Sequence, residues 1–362
     1  MRIVHFDSDS LGTPYAGGQA RRAHEIDKRL ARRHDVTVIT AGFRGLRNET
    51  IDGVRYQRMI PLSHPANFVA YFIELVPRAW LSPADLIVED FSSPLTASGL
   101  PALVRRPVVG VASYLFGKQA TQRYHLPIDR WEALTISRYR YLIALTGTQN
   151  SQLRAYANSA QIRIISNGAD DEAFAHPWLG DETYIAFLGR LDSNMKGLDL
   201  LLDAACELPL GLPLAIAGSG PGEKWLADQI KVRGLSSRAY MLGRLDGAQR
   251  HSFLAHAKAM AFPSRYENQS LVGLDALAIG VPIVAFDVDS SRELFGDCAV
   301  LIAPFDTQSF GRALVHLAAD GMRARELSAL ARAKGGEFTW DRAAIEQESF
   351  YSEILASRGS GR

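Results

Sequence analysis

The sequence predicts an α/β protein built from two doubly wound domains. Short, β-rich apolar runs alternate with helical patterns along the whole chain. The alternation breaks once, at 171–183, where Pro177 and Gly180 interrupt the periodicity, and then it restarts. A chain of 362 residues is too long for one ordinary hydrophobic core and suits two.

The first half contains seven strand candidates. Apolar strands that alternate with helices predict a parallel sheet covered on both faces. The first helix is expected over 20–33, because Ala23, Ile26 and Leu30 fall on one face of it. The strand candidates are 2–7, 35–40, 54–59, 85–90, 107–113, 141–146 and 162–167. We place the first domain at 1–172.

The second half repeats the pattern, and we place the second domain at 173–339. Its strands are expected at 184–189, 213–218, 239–243, 258–264, 282–287 and 298–304, and its helices at 197–207, 222–233, 247–256, 271–279 and 307–319. A last amphipathic helix, from 340, could cap this domain or pack on the first. Ligands bind doubly wound sheets at the carboxyl ends of the strands.

Composition narrows the class of protein. The formal net charge of +1 gives no overall field that would attract nucleic acid, so we expect no nucleic-acid partner. No stretch reaches the roughly 20 apolar residues of a spanning helix, and the amino terminus reads as a strand rather than a signal peptide. We expect a cytoplasmic protein, and peripheral contact with the inner membrane face stays open.

Two segments carry glycine or positive charge after a strand. Gly17 and Gly18 precede the first helix, where free N–H groups favour an anion and glycine lets a ligand approach, although a plain turn would look the same. Arg190 and Lys196 follow the strand at 184–189. Together they could neutralise a pyrophosphate, whereas as isolated cations they would be a solvated edge.

Two further segments follow later strands. The run AGSGPGE (217–223) has the wrong spacing for a dinucleotide fingerprint, because the third glycine would fall on Glu223. In 263–282, Ser270 is expected to cap a helix that contains Asp275, with Glu267 in the loop before it. The helix N–H groups could bind phosphate while the two carboxylates accept hydroxyl groups.

These residues resemble the retaining glycosyltransferases of family four, which have the GT-B fold of two Rossmann-like domains facing across a cleft. The order and spacing of the matching pieces carry the resemblance from end to end. The pieces are AGGQARR, RHDVTVIT, IISNGADDEAF, GRLDSNMKGLDLLLDA, AIAGSGPGE, MLGRLDGAQR, AMAFPSRYENQSLVGLDALAIGVPIVA and FTWDRAA.

The resemblance implies roles for the matched positions. Arg190 and Lys196 would clamp the donor pyrophosphate, and Glu267 would contact the transferred sugar; these three are the catalytic candidates. Asp275 would hold the ribose hydroxyls. The other positions expected to bind the nucleotide-sugar are Gly17, Gly18, Gly243, Arg244, Leu245, Gln269, Ser270 and Leu271. The helix over about 340–357 would cross back onto the first domain.

The chain departs from the family pattern at two places. The second acid of the motif is Asp275 instead of Glu, which shortens its reach toward ribose. Many members carry a His after the fifth strand, where this chain has Ala112 and Ser113. That difference suggests a 6-deoxy or otherwise modified donor sugar, a hypothesis that equal or better turnover of an ordinary hexose donor would refute.

We therefore expect a retaining, hexosyltransferase-like enzyme of carbohydrate or glycoconjugate biosynthesis. It would move a sugar from a UDP-, GDP- or dTDP-linked donor to an acceptor hydroxyl by a front-face route, with no cofactor and no metal.

The acceptor is expected to meet the first domain near 9–22, 113–118 or 67–80, the last of which could instead be a buried helix or face a membrane. An epimerase or phosphorylase of the same fold and a non-catalytic nucleotide-sugar-binding protein remain alternatives. Nucleoside diphosphate release that requires an acceptor would separate transfer from them.

Overall fold

The structure is a computed structural model that describes residues 1–9, 11–13, 17–61, 66–91 and 97–359, with the backbone alone at 66–70, 123 and 359. The chain divides into two compact units. One comprises Met1–Ser166 and Trp340–Arg362, and the other comprises Asn167–Thr339.

Among the described residues, the first unit has an eight-stranded sheet of order β3-β4-β2-β1-β5-β6-β7-β8. The neighbouring strands are parallel, except that β3 runs antiparallel to β4. Asp52 and Gly53, both with positive φ, make the tight turn between those two strands. The strands are β1 (Arg2–Asp7), β2 (Asp35–Thr40), β3 (Glu49–Ile51), β4 (Val54–Arg58), β5 (Leu86–Asp90), β6 (Val108–Val111), β7 (Tyr141–Ala144) and β8 (Gln161–Ile164).

In the described part of this unit, five helices lie between the strands. They are α1 (Gly18–Leu30), α2 (Ala66–Leu81), α3 (Gly117–Tyr124), α4 (Ile128–Ile136) and α5 (Gly147–Tyr156), with a 3₁₀ turn at Leu100–Ala102. A single apolar core joins α2, the 3₁₀ turn, α4 and α5 to the sheet through residues such as Leu75, Leu100, Ile136 and Leu153. These elements therefore cover the same face of the sheet.

The second unit has a six-stranded parallel sheet of order β11-β10-β9-β12-β13-β14. Its strands are β9 (Ile185–Leu188), β10 (Leu214–Ala217), β11 (Ala239–Gly243), β12 (Ala259–Phe262), β13 (Ile283–Phe286) and β14 (Ala299–Ile302). Its helices are α6 (Ser193–Lys196), α7 (Leu198–Ala205), α8 (Glu223–Val232), α9 (Ala248–His256), α10 (Leu271–Ile279), α11 (Asp289–Phe295), α12 (Thr307–Ala319) and α13 (Gly321–Gly335), with 3₁₀ turns at Asp171–Ala175 and Gly296–Cys298. Two apolar cores, one on each face, bury this sheet.

The closing helix α14 (Trp340–Gly359) belongs to the first unit. Its carboxylates pair with basic residues in the last turn of α1 and just after it: Asp341 lies 2.6 Å from Arg29 Nε, and Glu348 lies 2.7 Å from His34 Nε2. Of the two placements that the sequence left open, the structure takes the return to the first unit.

The boundary between the units differs from the sequence-based one. The division falls at Ser166–Asn167 rather than at 172–173. The segment expected as a linker packs within the second unit, because Trp178 N donates to Ile279 O at 2.9 Å and Leu179 N donates to Ala255 O at 2.8 Å. Those backbone bonds tie 177–182 to α9 and α10.

Within the described part of the chain, no helix is both long and apolar enough to cross a membrane.

Candidate functional site

The carboxyl ends of β9 and β10 carry loops that are packed backbone against backbone. Leu191 N donates to Ser219 O at 2.9 Å, and Gly222 N donates to Leu191 O at 2.8 Å. A Cβ at Gly218 (φ 146°) would lie 1.8 Å from Gly189 O, and one at Gly220 would lie 2.7 Å from Leu191 O. The glycines of AGSGPGE therefore let two loops touch, a role that the sequence did not reveal.

The loops after β9 and β12 also meet, since these strands are neighbours. Gly197 adopts φ 62°, and a Cβ there would lie 2.2 Å from Pro263 O. Glycine at 197 ends α6 and brings the preceding residue, Lys196, beside the segment that follows β12. Sequence positions that are about 70 apart are thus placed at one edge of the sheet.

Lys196 and Glu267 form an ion pair at this edge. Lys196 Nζ donates to Glu267 Oε1, and the hydroxyl of Ser264 donates to the same oxygen at 2.9 Å. The side chains of Lys196 and Glu267 are 21% and 11% exposed, so both are held in place and still reach solvent. The two residues expected to act on the pyrophosphate and the sugar therefore lie in contact.

Arg265 anchors the loop that carries Glu267. Its guanidinium bonds both carboxylate oxygens of Asp199, at 2.7 and 2.6 Å, and Arg265 N donates to Met195 O at 3.0 Å. The hydrogen bonds from Arg265 hold the pKa of the Asp199 carboxyl below its usual range, because they stabilise the ionised form. This bidentate pair fixes the loop against α6 and α7.

Helix α10 begins next to Glu267. Ser270 is its N-cap, as predicted, with the side-chain oxygen accepting from Gly273 N at 3.2 Å. Gln269 holds the approach to the helix, since its Oε1 accepts from Asn167 N at 2.6 Å. The first N–H groups of the helix, at Leu271 and beside it, are the ones that the sequence assigned to phosphate binding.

Arg190 and the turn after β11 lie at the same edge. Arg190 is exposed, and among the described residues its guanidinium has no hydrogen-bond or ion-pair partner. Gly243 O accepts from Gly218 N at 2.8 Å, which places the Gly243–Leu245 turn beside the β10 loop. Arg244 is also exposed and bonds Asp246 at 2.9 Å. The predicted clamp residue and the predicted base-contacting turn therefore lie at the same carboxyl edge of the sheet as Lys196.

Asp275 has a different environment from Glu267. It is 2% exposed, and its Oδ1 accepts from Asp170 N at 2.7 Å. Arg250 Nη2 lies 2.9 Å from Asp275 Oδ2 and 2.6 Å from Asp170 Oδ2. The carboxylate is thus part of a buried network that joins α9, α10 and the start of the unit, and a ribose contact remains a prediction.

Gly17 and Gly18 belong to the first unit, whereas Lys196 and Glu267 belong to the second. Gly17 is the N-cap of α1 with φ −101°, and its N–H donates to Asp9 Oδ2 at 2.9 Å. A Cβ at Gly17 would make only an ordinary 3.5 Å contact with that oxygen. Of the acceptor candidates, residues 10, 14–16 and the side chains of 67–70 lie outside the described part, and Ser113 Oγ donates to buried Asp90 at 3.4 Å.

Sequence reasoning missed the residues that support the site. Ser264 and Arg265 stand within the motif that it selected, but no role was assigned to them; Ser264 donates to Glu267 in the same motif, whereas Asp199, the partner of Arg265, lies elsewhere in the sequence. Asp170 and Arg250 lie in segments that match the family, but nothing local in those segments shows that they contact Asp275. In the described residues, no group of three or more His, Cys, Asp or Glu is arranged to hold a metal ion.

Comparison with known proteins assigns the family. The sequence model of the family described as "Glycosyltransferase Family 4" matches residues 16–173. The family model described as "Glycosyl transferases group 1" matches residues 182–320. The chain belongs to glycosyltransferase family four. The first match falls mainly on the first unit and the second match falls on the second unit. Together, the two family models cover most of the chain.

Relatives of this glycosyltransferase align with most of the chain. Glycogen synthase of Mycobacterium tuberculosis is 25% identical over an alignment 388 residues long, which covers 95% of this chain and 92% of that protein. The alpha-D-kanosaminyltransferase of Streptomyces kanamyceticus is 28% identical over 71% of each chain.

Solved structures show the same fold. Sucrose-phosphate synthase from Thermosynechococcus elongatus superposes with a TM-score of 0.82 at 19% identity, over 99% of this chain and 100% of that one. The Anabaena protein HepE, in complex with UDP-glucose, gives a TM-score of 0.76 at 18% identity with the same coverage. The predicted GT-B fold is confirmed.

Proposed function

We propose that this glycosyltransferase takes its sugar from a nucleotide-sugar and transfers it to an acceptor hydroxyl with retention at the anomeric carbon. The observation that carries the proposal is the contact between Lys196 and Glu267, beside the amino terminus of α10. One cation, one carboxylate and free helix N–H groups thereby converge at the carboxyl edge of a doubly wound sheet, where such folds bind ligands.

A nucleotide-sugar suits this arrangement chemically. The diphosphate carries the negative charge that Arg190, Lys196 and the start of α10 would bind, and the carboxylate of Glu267 would accept hydrogen bonds from sugar hydroxyls. The HepE structure, a relative in fold, was solved with UDP-glucose bound. The donor base of the present enzyme, whether uracil, guanine or thymine, is left for experiment.

The reaction that we propose needs neither a metal nor a protein nucleophile. The bond between the anomeric carbon and the phosphate oxygen breaks, and the acceptor oxygen bonds to that carbon on the same face. The departing phosphate oxygen takes the proton of the acceptor hydroxyl. Arg190 and Lys196 would stabilise the charge that develops on the diphosphate, which is the contribution that a metal makes elsewhere.

Donor identity can be tested by thermal stabilisation. Excess UDP, GDP, dTDP and ADP are compared, and the cognate nucleotide should raise Tm the most, because a ligand that binds only the folded state stabilises it. If none of the four nucleotides changes Tm, the result would count against a nucleotide-sugar donor.

Transfer is tested with the donor found in this way and a panel of sugar, inositol and lipid-linked hydroxyl acceptors. Nucleoside diphosphate should be released only with an acceptor, EDTA should leave the rate unchanged, and the product of an α-linked donor should be α-linked by NMR. An inverted product would refute retention, and an epimerised donor formed without acceptor would favour epimerisation over transfer.

A further inference from the structure

Helix α2 is apolar on both sides, although only one side can face the core. Tyr71, Leu75 and Ala79 are buried against the sheet. Ile73 and Trp80 lie on the outward side, exposed by 69% and 60%, and Leu81 at the end of the helix is exposed by 85%. A surface helix of a globular protein normally carries polar residues there.

Other elements that cover the same face of the sheet also expose apolar side chains. The indole N–H of Trp80 donates to Leu103 O at 2.7 Å, which places exposed Leu103 beside the helix. Helix α4, which covers the same face of the sheet, exposes Trp131 and Leu134. We call the outward side of this helical layer the α2–α4 surface; its apolar members are Ile73, Trp80, Leu81, Leu103, Trp131 and Leu134.

Basic residues accompany these apolar ones. Arg105 and Arg106 follow Leu103, and Arg106 Nη1 donates to Ala79 O at 3.1 Å, at the carboxyl end of α2. Arg130 and Arg138 flank the exposed residues of α4. Within the described part of the chain, none of these four arginines forms an ion pair with a carboxylate.

The acidic side chains of the same helices offset only part of the charge of the four arginines. Glu74 pairs with Arg78 at 2.7 Å, and Asp129 accepts from the hydroxyl of Thr121 at 3.0 Å. Glu132 is buried and accepts from Phe116 N and Gly117 N. The α2–α4 surface is therefore apolar and cationic in a protein whose formal net charge is only +1.

We propose that the α2–α4 surface docks this enzyme on the surface of an anionic lipid bilayer. Tryptophan and leucine enter the boundary between headgroups and acyl chains, while arginines bind the anionic headgroups. A second copy of the chain is a poorer occupant, because a two-fold contact would bring the same four arginines of both copies together.

Vesicle sedimentation tests the proposal. The full chain is mixed with vesicles of phosphatidylcholine alone and with vesicles of equimolar phosphatidylcholine and phosphatidylglycerol. Binding should be strong to the mixed vesicles at low salt, should weaken as salt rises, and should be weak to the neutral ones. If the protein binds neither kind of vesicle, or binds both kinds equally, the proposal is overturned.

Two variants locate the binding surface. Arg105→Gln with Arg130→Gln should lower partitioning into mixed vesicles by about 30-fold, since one arginine near an anionic surface contributes about 1 kcal/mol. Ile73→Ser with Leu81→Ser should lower it at least about 10-fold through lost apolar burial. All four side chains are exposed, so Tm should change little.

Matched controls come from exposed residues of the second unit. Arg323→Gln with Arg325→Gln removes the same charge, and Leu210→Ser with Val232→Ser removes comparable apolar surface; both pairs should partition like the parent. If all variants bind alike, the proposal is overturned. It is equally overturned if light scattering shows a dimer that Ile73→Ser with Leu81→Ser dissociates.

Discussion

Glu267 and Asp275 are eight positions apart, but they have opposite surroundings. Glu267 stands in a loop, reaches solvent and has one cationic partner, Lys196. Asp275 is inside α10, almost fully buried, and is shared by Asp170 and Arg250. The same chemical group therefore serves as an accessible acceptor in one place and as a structural tie in the other.

This difference shows why a motif read as one unit divides in the structure. A carboxylate that remains accessible can change partners when substrate arrives, whereas a buried one that leaves its cation incurs a large desolvation cost. We expect stability to depend on Asp275 and turnover to depend on Glu267. Each substitution below separates those two readouts.

The largest effect is expected at Asp275. Asp275→Ala should lower the free energy of unfolding by about 3 kcal/mol or more, because it removes the buried acceptor of the Asp170 N–H and one of the two carboxylates that Arg250 contacts. Urea unfolding measures it. The control is Asp289→Ala, whose surface pair with Arg292 should contribute less than about 1 kcal/mol. If both variants lose the same small free energy of unfolding, Asp275 does not have the structural role that distinguishes it from Glu267.

Turnover should respond most strongly at the ion pair. Lys196→Ala and Glu267→Gln should each lower kcat/KM by more than about 100-fold, the scale of one lost transition-state contact, while the urea midpoint stays close to that of the parent. Lys231→Ala and Glu182→Gln, at exposed positions, serve as matched controls. Wild-type rates in both site variants would refute the site.

Arg265 should affect turnover through the position of Glu267. Arg265→Gln breaks the bidentate pair with Asp199 and should lower kcat about 10-fold, and Arg265→Lys should not restore it, because lysine lacks the planar fork. The pKa of Asp199 is lowered in the folded protein, so this pair contributes at neutral pH and is lost only as pH falls through that lowered value. Arg292→Gln, in an exposed pair, is the control; a similar loss there would show that the effect is not positional.

The smallest effect is expected at the helix cap. Ser270→Ala should lower the free energy of unfolding by about 1 kcal/mol, since Gly273 N loses its side-chain acceptor. Ser270→Asp, which restores a capping oxygen, should recover stability. No change in either variant would mean that the cap contributes nothing measurable.

The sequence predicted the repeating β/α pattern well, because buried parallel strands are continuous apolar runs. The helices at 271–279 and 307–319 begin and end as predicted. Strand β3 was missed, since Glu49–Ile51 is short and mostly exposed. Helix α13 was missed because its inward residues, such as Ala324 and Ala331, are small and give little periodic contrast.

Predicting the site from sequence reached its limit at long-range contacts. Ser270 could be assigned as a cap because a cap is local. The contact of Lys196 with Glu267 depends on two neighbouring strands ending at one edge, and the burial of Asp275 depends on Arg250 from another helix. Such pairs arise from strand order and packing, which no local pattern encodes.

The glycines after β10, which pack against the loop after β9, limit how this enzyme can be re-engineered. A saturation library that seeks altered donor preference would lose its members at 218 and 220, because any side chain there would collide with the backbone at 189–191. Exposed Arg244, on the neighbouring turn, carries no such restriction and tolerates variation sterically. Selection for a new donor should therefore begin at the turn after β11 and leave the glycines unchanged.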